Sequence, residues 1–516
     1  MATLLSMHAT EHPDAPAIID VGGTVAWADL DERVNRLIDA LRARGLTLGD
    51  TIVVMAGNER ATYEVTLAAM HGGWTVVPVN WHWVADELAY VIGDAGADAL
   101  IVGADWVEVG ATAAGETIDV RIAVGDGAAA GFERYEEVLA AASPAEPPDQ
   151  VKGGPMFYTS GTTGFPKGVR GALATTGDPV EMWSLIAASL AEMMEVPDAG
   201  ATQLVCGPAY HSAQWIYGMV PLVLGGTLVL QHRFDAAAVL DAIDTHGVTG
   251  VHLVPAQFVR MLRLDDDVRT AFDGSSLVAV HHGAAPCPPE VKRAMIDWWG
   301  PIVTEYYGGT EGGFIAAISA AEWLEHPGSV GRVLSTMEVF ATDAEGNRLG
   351  PGEAGELWFK NLLGMDFEYH NAPDKTAAAH REPGVVTLGD VGYLDDDGFL
   401  YLSDRKIDMI ISGGVNIYPA EIEGVLAGHP DVADVAVFGI PDDEMGEQVL
   451  AVVEPIAGRT PADDFAAELA SYTREHLAGY KCPRRWEFTD ALPRNEVGKL
   501  AKKTLRAPYW DADRAI

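Results

Sequence analysis

The stretch LGDVGYLDDDGFLYLSDRKIDMIISGGVNIYPAEIE, from Leu388 to Glu423, is the most specific block of the sequence. Within it, the turn DDDG separates two alternating apolar runs, a pattern that predicts a β-hairpin. If the turn centres near Asp397, Asp390 lies opposite Asp404–Arg405 at the open end of the hairpin. A carboxylate accepts hydrogen bonds from two ribose hydroxyls, and a guanidinium donates a fork of them. The pair therefore suits a ribose site, although two such residues also suit a surface ion pair.

On both sides of this block, the order of predicted strands and helices indicates an α/β protein. Residues 13–150 and 202–330 alternate short apolar strands with amphipathic helices such as Thr24–Leu46, which is typical of parallel sheets. After about residue 330, short alternating strands predict a small β-rich subdomain, and from about Arg405 a small α+β unit follows. We therefore expect an N-terminal region over 1–403, a junction at 404–408 and a C-terminal domain over 409–516.

A second candidate site is the segment YTSGTTGFPKG, Tyr158 to Gly168, which follows a short apolar strand. Small and glycine residues let backbone N–H groups turn toward one concavity, and hydroxyls add further donors. Lys167 supplies a positive charge, so the segment suits a triphosphate. It differs from the phosphate loop of P-loop NTPases, because Pro166 rather than glycine precedes the lysine. A surface turn of the same composition is the alternative.

Three further motifs follow in chain order: HHGAAP from His281, EYYGGTEGG from Glu305 and PRNEVGKLAKKTLR from Pro493. The two adjacent histidines do not suit one metal ion, because neighbouring residues on a strand point to opposite faces. Together with the hairpin block and the phosphate segment, these motifs resemble those of the adenylate-forming superfamily, which includes acyl-CoA synthetases. The resemblance runs from Tyr158 to Arg506, and the N-terminal α/β pattern is compatible with it.

The resemblance implies the roles of individual residues. Lys499 is the expected catalytic lysine, with Thr310 on phosphate, Glu311 on Mg²⁺ and Tyr307 on the purine. Catalytic contacts are thereby expected from Lys499, Thr310, Glu311 and His211, and Glu311 is the expected metal ligand. Nucleotide and coenzyme contacts are expected from Thr159, Ser160, Gly161, Thr162, Thr163, Gly164, Lys167, Gly283, Ala284, Ala285, Glu305, Tyr306, Tyr307, Gly308, Asp390, Arg405, Ser412, Gly413 and Gly414.

The junction departs from the family pattern at one position. Family members usually carry Asp or Lys two positions after the ribose-contacting arginine, whereas this chain has Ile407, preceded by Lys406. The resemblance implies a mobile C-terminal domain, and this departure leaves its pivot open.

An acyl pocket is expected around the segment PAYHSAQWIYGMVPL. His211, Trp215, Gly218 and Leu222 fall on one helical face, which suits either a pocket wall or ordinary core packing. In the pocket interpretation the lining residues are His211, Trp215, Gly218, His282 and Gly283. No Asp is evident to hold an amino-acid ammonium group, so we expect a fatty, aromatic or alicyclic acid.

Composition excludes several function classes. The 516 residues carry a formal net charge of −41, which argues against nucleic-acid binding. Three widely spaced cysteines argue against a disulfide framework and favour a cytoplasmic location. The N-terminus lacks the basic region of a signal peptide. Residues 199–232 lack Asp, Glu, Lys and Arg, but prolines interrupt them, so no integral membrane segment is expected.

The resulting hypothesis is an ATP-dependent acid–thiol ligase. It would convert a small-molecule carboxylic acid to an acyl-AMP and transfer the acyl group to coenzyme A, with ATP, Mg²⁺ and coenzyme A as cofactors. The alternatives are loading of a carrier-protein phosphopantetheine, a luciferase-like oxygenase and a non-catalytic nucleotide-binding module. A homodimer is one candidate assembly.

Overall fold

The computed structural model describes residues 4–126, 131–159, 166–197, 200–405, 408–412, 415–442, 445–477, 479–494 and 500–510. Its α-helices are α1 (Leu4–Glu11), α2 (Trp27–Ala43), α3 (Arg60–Gly72), α4 (Ala85–Ala95), α5 (Val107–Ala114), α6 (Tyr135–Ala141), α7 (Met182–Ala191), α8 (Ser212–Val223), α9 (Ala236–His246), α10 (Pro255–Leu262), α11 (Asp266–Ala271), α12 (Pro289–Trp299), α13 (Ala320–Glu325), α14 (Pro373–Ala379), α15 (Pro419–Ala427), α16 (Asp463–His476) and α17 (Lys502–Arg506).

The strands are β1 (Pro16–Asp20), β2 (Gly23–Ala26), β3 (Thr51–Met55), β4 (Thr75–Pro78), β5 (Ala99–Gly103), β6 (Val120–Val124), β7 (Glu133–Arg134), β8 (Gly154–Pro155), β9 (Phe157–Thr159), β10 (Lys167–Arg170), β11 (Thr202–Val205), β12 (Thr227–Leu230), β13 (Gly250–Leu253), β14 (Ala279–His282), β15 (Val303–Gly309), β16 (Gly313–Ile318), β17 (Ser329–Val333), β18 (Met337–Thr342), β19 (Gly355–Asn361), β20 (Glu368–Tyr369), β21 (His380–Glu382), β22 (Val385–Val386), β23 (Asp390–Leu394), β24 (Phe399–Arg405), β25 (Ile410–Ser412), β26 (Val415–Ile417), β27 (Val432–Asp442), β28 (Gly446–Pro455) and β29 (Arg485–Phe488).

The chain divides into two compact units. The first contains Met1–Leu253, Leu264–His281 and Gly364–Ala378, and the second contains Val254–Arg263, His282–Leu363 and Ala379–Ile516. The predicted junction at 404–408 stays a prediction, because Lys406 and Ile407 lie outside the described residues.

The first unit is built on parallel sheets. Strands β7-β6-β5-β3-β4-β8 form one sheet in which all neighbouring strands are parallel. Strands β3, β4 and β5 are buried throughout because helices cover both faces, which explains their continuous apolar sequences. A second group runs β2-β1-β12-β11-β13-β14, and a small antiparallel sheet has the order β20-β10-β9. The α/β prediction is confirmed.

Local sequence explains where the elements of the first unit begin. The amphipathic segment predicted over Thr24–Leu46 is helical only from Trp27, because Gly23–Ala26 pairs with β1. Its apolar face is buried, including Leu30, Val34 and Leu37. Helix α9 begins after Asp235, whose side chain accepts a hydrogen bond from the backbone N–H of Ala238, as an N-cap does.

The second unit is β-rich and also carries the C-terminal elements. Strands β15-β16-β17-β24-β23-β19-β22-β21 follow one another in a sheet, with β18 paired to β19. The C-terminal part has a sheet of order β26-β25-β28-β27, with β29 parallel to β28. Its core joins α15 and α16 to this sheet through Ile422, Leu426, Phe465 and Leu469. In the part of the chain that the structure describes, no helix combines the length and apolarity needed to span a bilayer.

Candidate active site

The phosphate segment lies between two antiparallel strands of the first unit. Strands β9 and β10 pair with Lys167 opposite Thr159, so these two residues flank the connecting loop. Ser160, Gly161, Thr162, Thr163 and Gly164 lie outside the described residues. The flanking strands therefore give the loop a rigid base, which is the arrangement that an oriented phosphate-binding turn requires.

A segment distant in sequence completes this base, and we call residues 367–371 the strap. Its strand β20 pairs with β10, and the backbone N–H of His370 donates to the carbonyl of Gly168 at 2.8 Å. The ammonium nitrogen of Lys167 lies 4.6 Å from the ring centroid of Tyr369, a cation–π distance. The strap thereby restricts where the lysine can point.

The far side of the strap is anchored to helix α4. The hydroxyl of Tyr158 donates to Oδ2 of Asp94 at 2.6 Å, and the carbonyl of Asp94 lies 2.9 Å from both His370 Nε2 and Asn371 Nδ2. A cleft of about 250 Å³ opens here, and its lining includes Lys167, the strap and Lys375. Asp94 and Asp374 also belong to this lining, so the cleft carries charges of both signs, with Lys167 at the end of the phosphate segment.

The predicted purine segment is a hairpin in the second unit. Strand β15 pairs with β16, and Thr310 and Glu311 lie in the partly exposed turn between them. Gly283 lies close to this strand, since a Cβ at Gly283 would approach the carbonyl oxygen of Tyr306 to 2.7 Å. Only glycine therefore fits at that position without a shift of the backbone. Ala284, next in the chain, has a positive φ of 64°.

Glu305 is fully engaged by a neighbour on α12. Its Oε2 lies 2.7 Å from the ammonium nitrogen of Lys292 and 3.8 Å from Nε2 of His282. All three side chains are buried. Burial raises the pKa of Glu305 and lowers that of Lys292, and in each case the partner's opposite charge opposes the shift. The predicted nucleotide contact of Glu305 stays a prediction. In the structure this carboxylate forms an ion pair with Lys292.

The predicted ribose hairpin has the expected register. Asp390 pairs with Arg405 across β23 and β24, and Val391 pairs with Asp404. Asp390 is 8% exposed, and its Oδ2 accepts a hydrogen bond from the hydroxyl of Tyr307 at 2.5 Å. The structure thus brings the predicted purine and ribose residues together within the second unit.

The remaining predicted coenzyme and catalytic residues lie at or beyond the limits of the described chain. Ser412 ends strand β25 and is buried. Gly413, Gly414 and the catalytic candidate Lys499 lie outside the described residues. Their roles stay predictions.

Three of the predicted acyl-pocket residues, His211, Trp215 and Gly218, lie just before or within helix α8. His211 is the residue before the helix, and its extended backbone (φ −84°, ψ 132°) ends the loop that precedes it. The ring of Trp215 is 1% exposed and packs 5.7 Å from Phe157 and 5.9 Å from Trp183, measured between centroids. A Cβ at Gly218 would approach Oη of Tyr63 to 2.8 Å, so tyrosine occupies the space next to that glycine. Pocket and packing roles therefore both stay open for this face.

Sequence analysis missed polar residues on the other side of α8. Nε2 of Gln214 lies 2.8 Å from Nδ1 of His252, and Tyr217 packs on both His252 and His281. A signal was available, because Gln214 and Tyr217 are three residues apart in an otherwise apolar helix and therefore share a face.

A magnesium ion fits the donor chemistry of the hairpin turn. Glu311 offers a partly exposed carboxylate, and Mg²⁺ commonly takes one or two carboxylates together with substrate phosphates and water. Among the described residues, no group of three His, Cys, Asp or Glu side chains could hold a metal ion without such help.

Known proteins resemble this chain over nearly its whole length. The sequence model of the AMP-binding enzyme family matches residues 5–365, and that of the AMP-binding enzyme C-terminal domain matches residues 421–499. A feruloyl-CoA synthase of an Amycolatopsis species is 36% identical over 504 residues, or 96% of each chain. The fatty acid–[acyl-carrier-protein] ligase ScoC of Streptomyces coeruleorubidus is 31% identical over 532 residues, covering 98% of this chain and 95% of the relative.

A solved structure extends the likeness to three dimensions. The o-succinylbenzoate CoA synthetase MenE of Bacillus subtilis, in complex with the acyl-adenylate OSB-AMP, has a TM-score of 0.82 and 28% identity, with 98% of both chains covered. The chain therefore belongs to the AMP-binding enzyme family, within the adenylate-forming superfamily that its motifs resemble.

Proposed function

We propose that this enzyme activates a carboxylic acid with ATP and transfers the acyl group to the thiol of coenzyme A. The observation that carries the proposal is the Tyr307–Asp390–Arg405 arrangement, in which a buried carboxylate is held by a phenol and lies opposite an arginine position. An aromatic ring beside a buried acceptor suits a nucleoside, which has a flat base and two vicinal hydroxyls.

In the first step, an oxygen of the substrate carboxylate attacks the α-phosphorus of ATP. A phosphorus–oxygen bond forms, the bond to the leaving pyrophosphate breaks, and acyl-AMP results. The barrier lies in bringing two anions together, so positioned positive charge is the remedy. We assign Lys167 and the 159–164 loop to the β- and γ-phosphates and Lys499 to the meeting point of carboxylate and α-phosphate. When bound at Glu311, Mg²⁺ would neutralise phosphate charge.

In the second step, the thiolate of coenzyme A attacks the acyl carbon, and AMP leaves. The same lysine would block that approach, so we propose that the domain containing Lys499 rotates about the 404–408 junction. The segment Ser412–Gly413–Gly414 would then face the site, where two glycines leave room for the narrow pantetheine arm.

The acceptor is tested by measuring acid-dependent release of AMP and pyrophosphate with and without coenzyme A. Thioester formed only on addition of coenzyme A supports the proposal. Transfer only to a carrier-protein phosphopantetheine would replace it with the second candidate, which the resemblance to ScoC favours. Light emission would indicate an oxygenase, and nucleotide binding without turnover on a broad acid panel would contradict the enzyme role.

Asp390 tests the nucleotide site directly. We expect Asp390→Ala to raise the KM for ATP about tenfold or more, because it removes an acceptor for ribose hydroxyls and the hydrogen bond that holds the Tyr307 hydroxyl. Asp396→Ala, an exposed carboxylate in the turn of the same hairpin, is the matched control. An unchanged ATP requirement in Asp390→Ala would argue against a ribose contact.

Location and assembly follow as smaller proposals. The described cysteines Cys206, Cys287 and Cys482 are free thiols, which suits a reducing cytoplasm. A homodimer is proposed as the assembly, and light scattering after size-exclusion chromatography distinguishes it from a monomer.

A further inference from the structure

A cluster of polar side chains lies in the interior of the first unit, against helix α8. Gln214 and Tyr217 on the helix are 3% and 2% exposed, and His252 and His281 on β13 and β14 are 1% and 3% exposed. Gln214 Nε2 lies 2.8 Å from His252 Nδ1. The Tyr217 ring centroid lies 4.7 Å from that of His252 and 5.0 Å from that of His281. These four side chains therefore form one buried polar surface.

This surface adjoins the residue proposed for the acyl pocket. Burial, and then charge repulsion from His281 and His211, lower the pKa of His252 to about 3. His211 immediately precedes α8, three residues before Gln214, so it lies close to the cluster. The cluster and the residue proposed for the acyl pocket therefore lie at the same end of α8.

Three polar atoms around α8 have no hydrogen-bond partner among the described residues. They are Nε2 of His281, Nε1 of Trp215 and Oη of Tyr63, all on side chains no more than 3% exposed. Buried polar groups are nearly always paired, so unpaired ones call for an explanation. Of the three, Nε2 of His281 belongs to the polar cluster, and a ligand that reaches the cluster would supply its missing partner.

The chemistry of His281 specifies that partner. Burial lowers its pKa to about 4, and a backbone hydrogen bond to Met193 opposes this shift. A backbone bond that raises the pKa of an imidazole is one in which a ring N–H donates to a carbonyl. The neutral ring then presents its other nitrogen, Nε2, as an acceptor. Such an acceptor pairs with a donor, for example a hydroxyl group. A second carboxylate on the substrate would not fit here, because uncharged imidazole rings do not balance its negative charge.

We propose that the acid carries a ring and, away from its carboxylate, a hydroxyl group that donates to Nε2 of His281. This inference rests on the proposed function and selects among the acids that it allows. The flat ring of Tyr217, which packs on both His252 and His281, suits a ring of the substrate, because aromatic groups gain from stacked or edge contacts. An unbranched fatty acid would leave the buried Nε2 without a partner.

The experiment uses acid-dependent exchange of labelled pyrophosphate into ATP by the full chain. The acids share one skeleton and differ at one ring position: cinnamic acid with hydroxyl, methyl or hydrogen at position 3 or 4, with octanoic acid alongside. We expect the better hydroxy acid to exceed its methyl isostere in kcat/KM by about tenfold or more, because a buried acceptor left unpaired disfavours the isostere.

His281→Leu removes the acceptor and should reduce the hydroxyl-to-methyl ratio to about one while the methyl acid still reacts. His281→Gln retains an acceptor and should preserve part of the ratio. His246→Leu, an exposed histidine on α9, is the control and should change nothing. Reaction of the methyl acid also reports that each variant is folded.

Two results would overturn the inference alone: equal or better exchange with the methyl, hydrogen or octanoic acid in the unmodified enzyme, or an unchanged hydroxyl preference in His281→Leu. Absence of exchange with every acid, including a broad panel of other carboxylic acids, would instead overturn the proposed function and this inference with it.

Discussion

Lys292 has no exposed surface, and its ammonium nitrogen lies 2.7 Å from Glu305 Oε2 and 4.9 Å from the ring centroid of Trp323. Removing two charges from water costs several kcal/mol per ion, and the attraction between them offsets this cost only while both remain. Glu305 is part of β15, two residues before Tyr307. The buried pair therefore fixes the strand that carries the proposed purine contact.

We expect Lys292→Met to lower the free energy of unfolding by about 3–5 kcal/mol, because it leaves the Glu305 carboxylate buried without a counter-charge. The urea midpoint followed by intrinsic fluorescence measures this loss. Adding Glu305→Gln should recover most of it, and Lys360→Met, at an exposed lysine on β19, should have little effect. A double variant as unstable as the single one would contradict the pairing argument.

Glu59 predicts a pH dependence of stability. Burial, and then repulsion from Asp20, raise its pKa to about 7. Between pH 4.5 and 7 the folded chain therefore retains a proton that the unfolded chain has lost, so stability falls as pH rises through this window. Glu59→Gln should remove the penalty and stabilise the protein on the order of 2 kcal/mol at pH 8, with no gain at pH 4.

Thermal unfolding at both pH values checks the Glu59 prediction, with Glu108→Gln, an exposed carboxylate on α5, as control. A gain of equal size at pH 4 and pH 8 would show that the effect is not the titration of Glu59.

Sequence could predict some residue pairs and not others. Counting along the hairpin predicts Asp390 opposite Asp404–Arg405, and an irregularity between Val391 and Gly392 places it opposite Arg405. The bond from Tyr307 to Asp390 joins residues 83 positions apart, and no local periodicity contains that information. The same holds for Lys292 and Glu305, whose partnership depends on how α12 packs on β15.

At the scale of elements, the strap shows what pairing adds to a short segment. Strand β20 has only two residues. Its sequence alone predicts no strand, because so short a segment is stabilised by hydrogen bonds to its partner strand and not by its own strand propensity. The hairpins around DDDG and the Asp235-capped helix were predictable, since turn and cap residues act locally. Sequence analysis therefore predicts elements that have turn or cap residues of their own, and it does not predict the strap.

The strap predicts that Tyr369 positions Lys167. Tyr369→Leu removes the ring that lies 4.6 Å from the lysine ammonium nitrogen, and we expect the KM for ATP to rise about threefold to thirtyfold. Tyr369→Phe retains the ring and should remain close to the unmodified enzyme. Pyrophosphate exchange at varied ATP is the measurement. A loss in Tyr369→Leu that appears only in thermal stability, with KM unchanged, would indicate a purely structural strap.

At the scale of the whole molecule, alternating strands and helices were enough to predict an α/β protein, because period and order of elements determine the layer architecture. In the sequence, Gly364–Ala378 lies between strands of the second unit, yet this segment belongs to the first unit. The order of strands and helices does not predict this. Such a crossing depends on long-range packing. Local sequence patterns also cannot show whether the chain rotates about the junction at 404–408. The rates of the two half-reactions can test this.

Lys499 provides that test, because a cation needed in only one of two half-reactions implies that something moves between them. We expect Lys499→Ala to slow acyl-AMP formation about a hundredfold or more, the usual loss when one group that stabilises transition-state charge is removed. Thioester formation from added acyl-AMP and coenzyme A should fall less than about fivefold, since no pyrophosphate departs in that step. Single-turnover assays of each half-reaction separate the two rates, with Lys503→Ala, an exposed lysine on α17, as control. Equal losses in both half-reactions would mean that the lysine serves a site that does not change between steps, and the rotation proposed for the C-terminal domain would lose its reason.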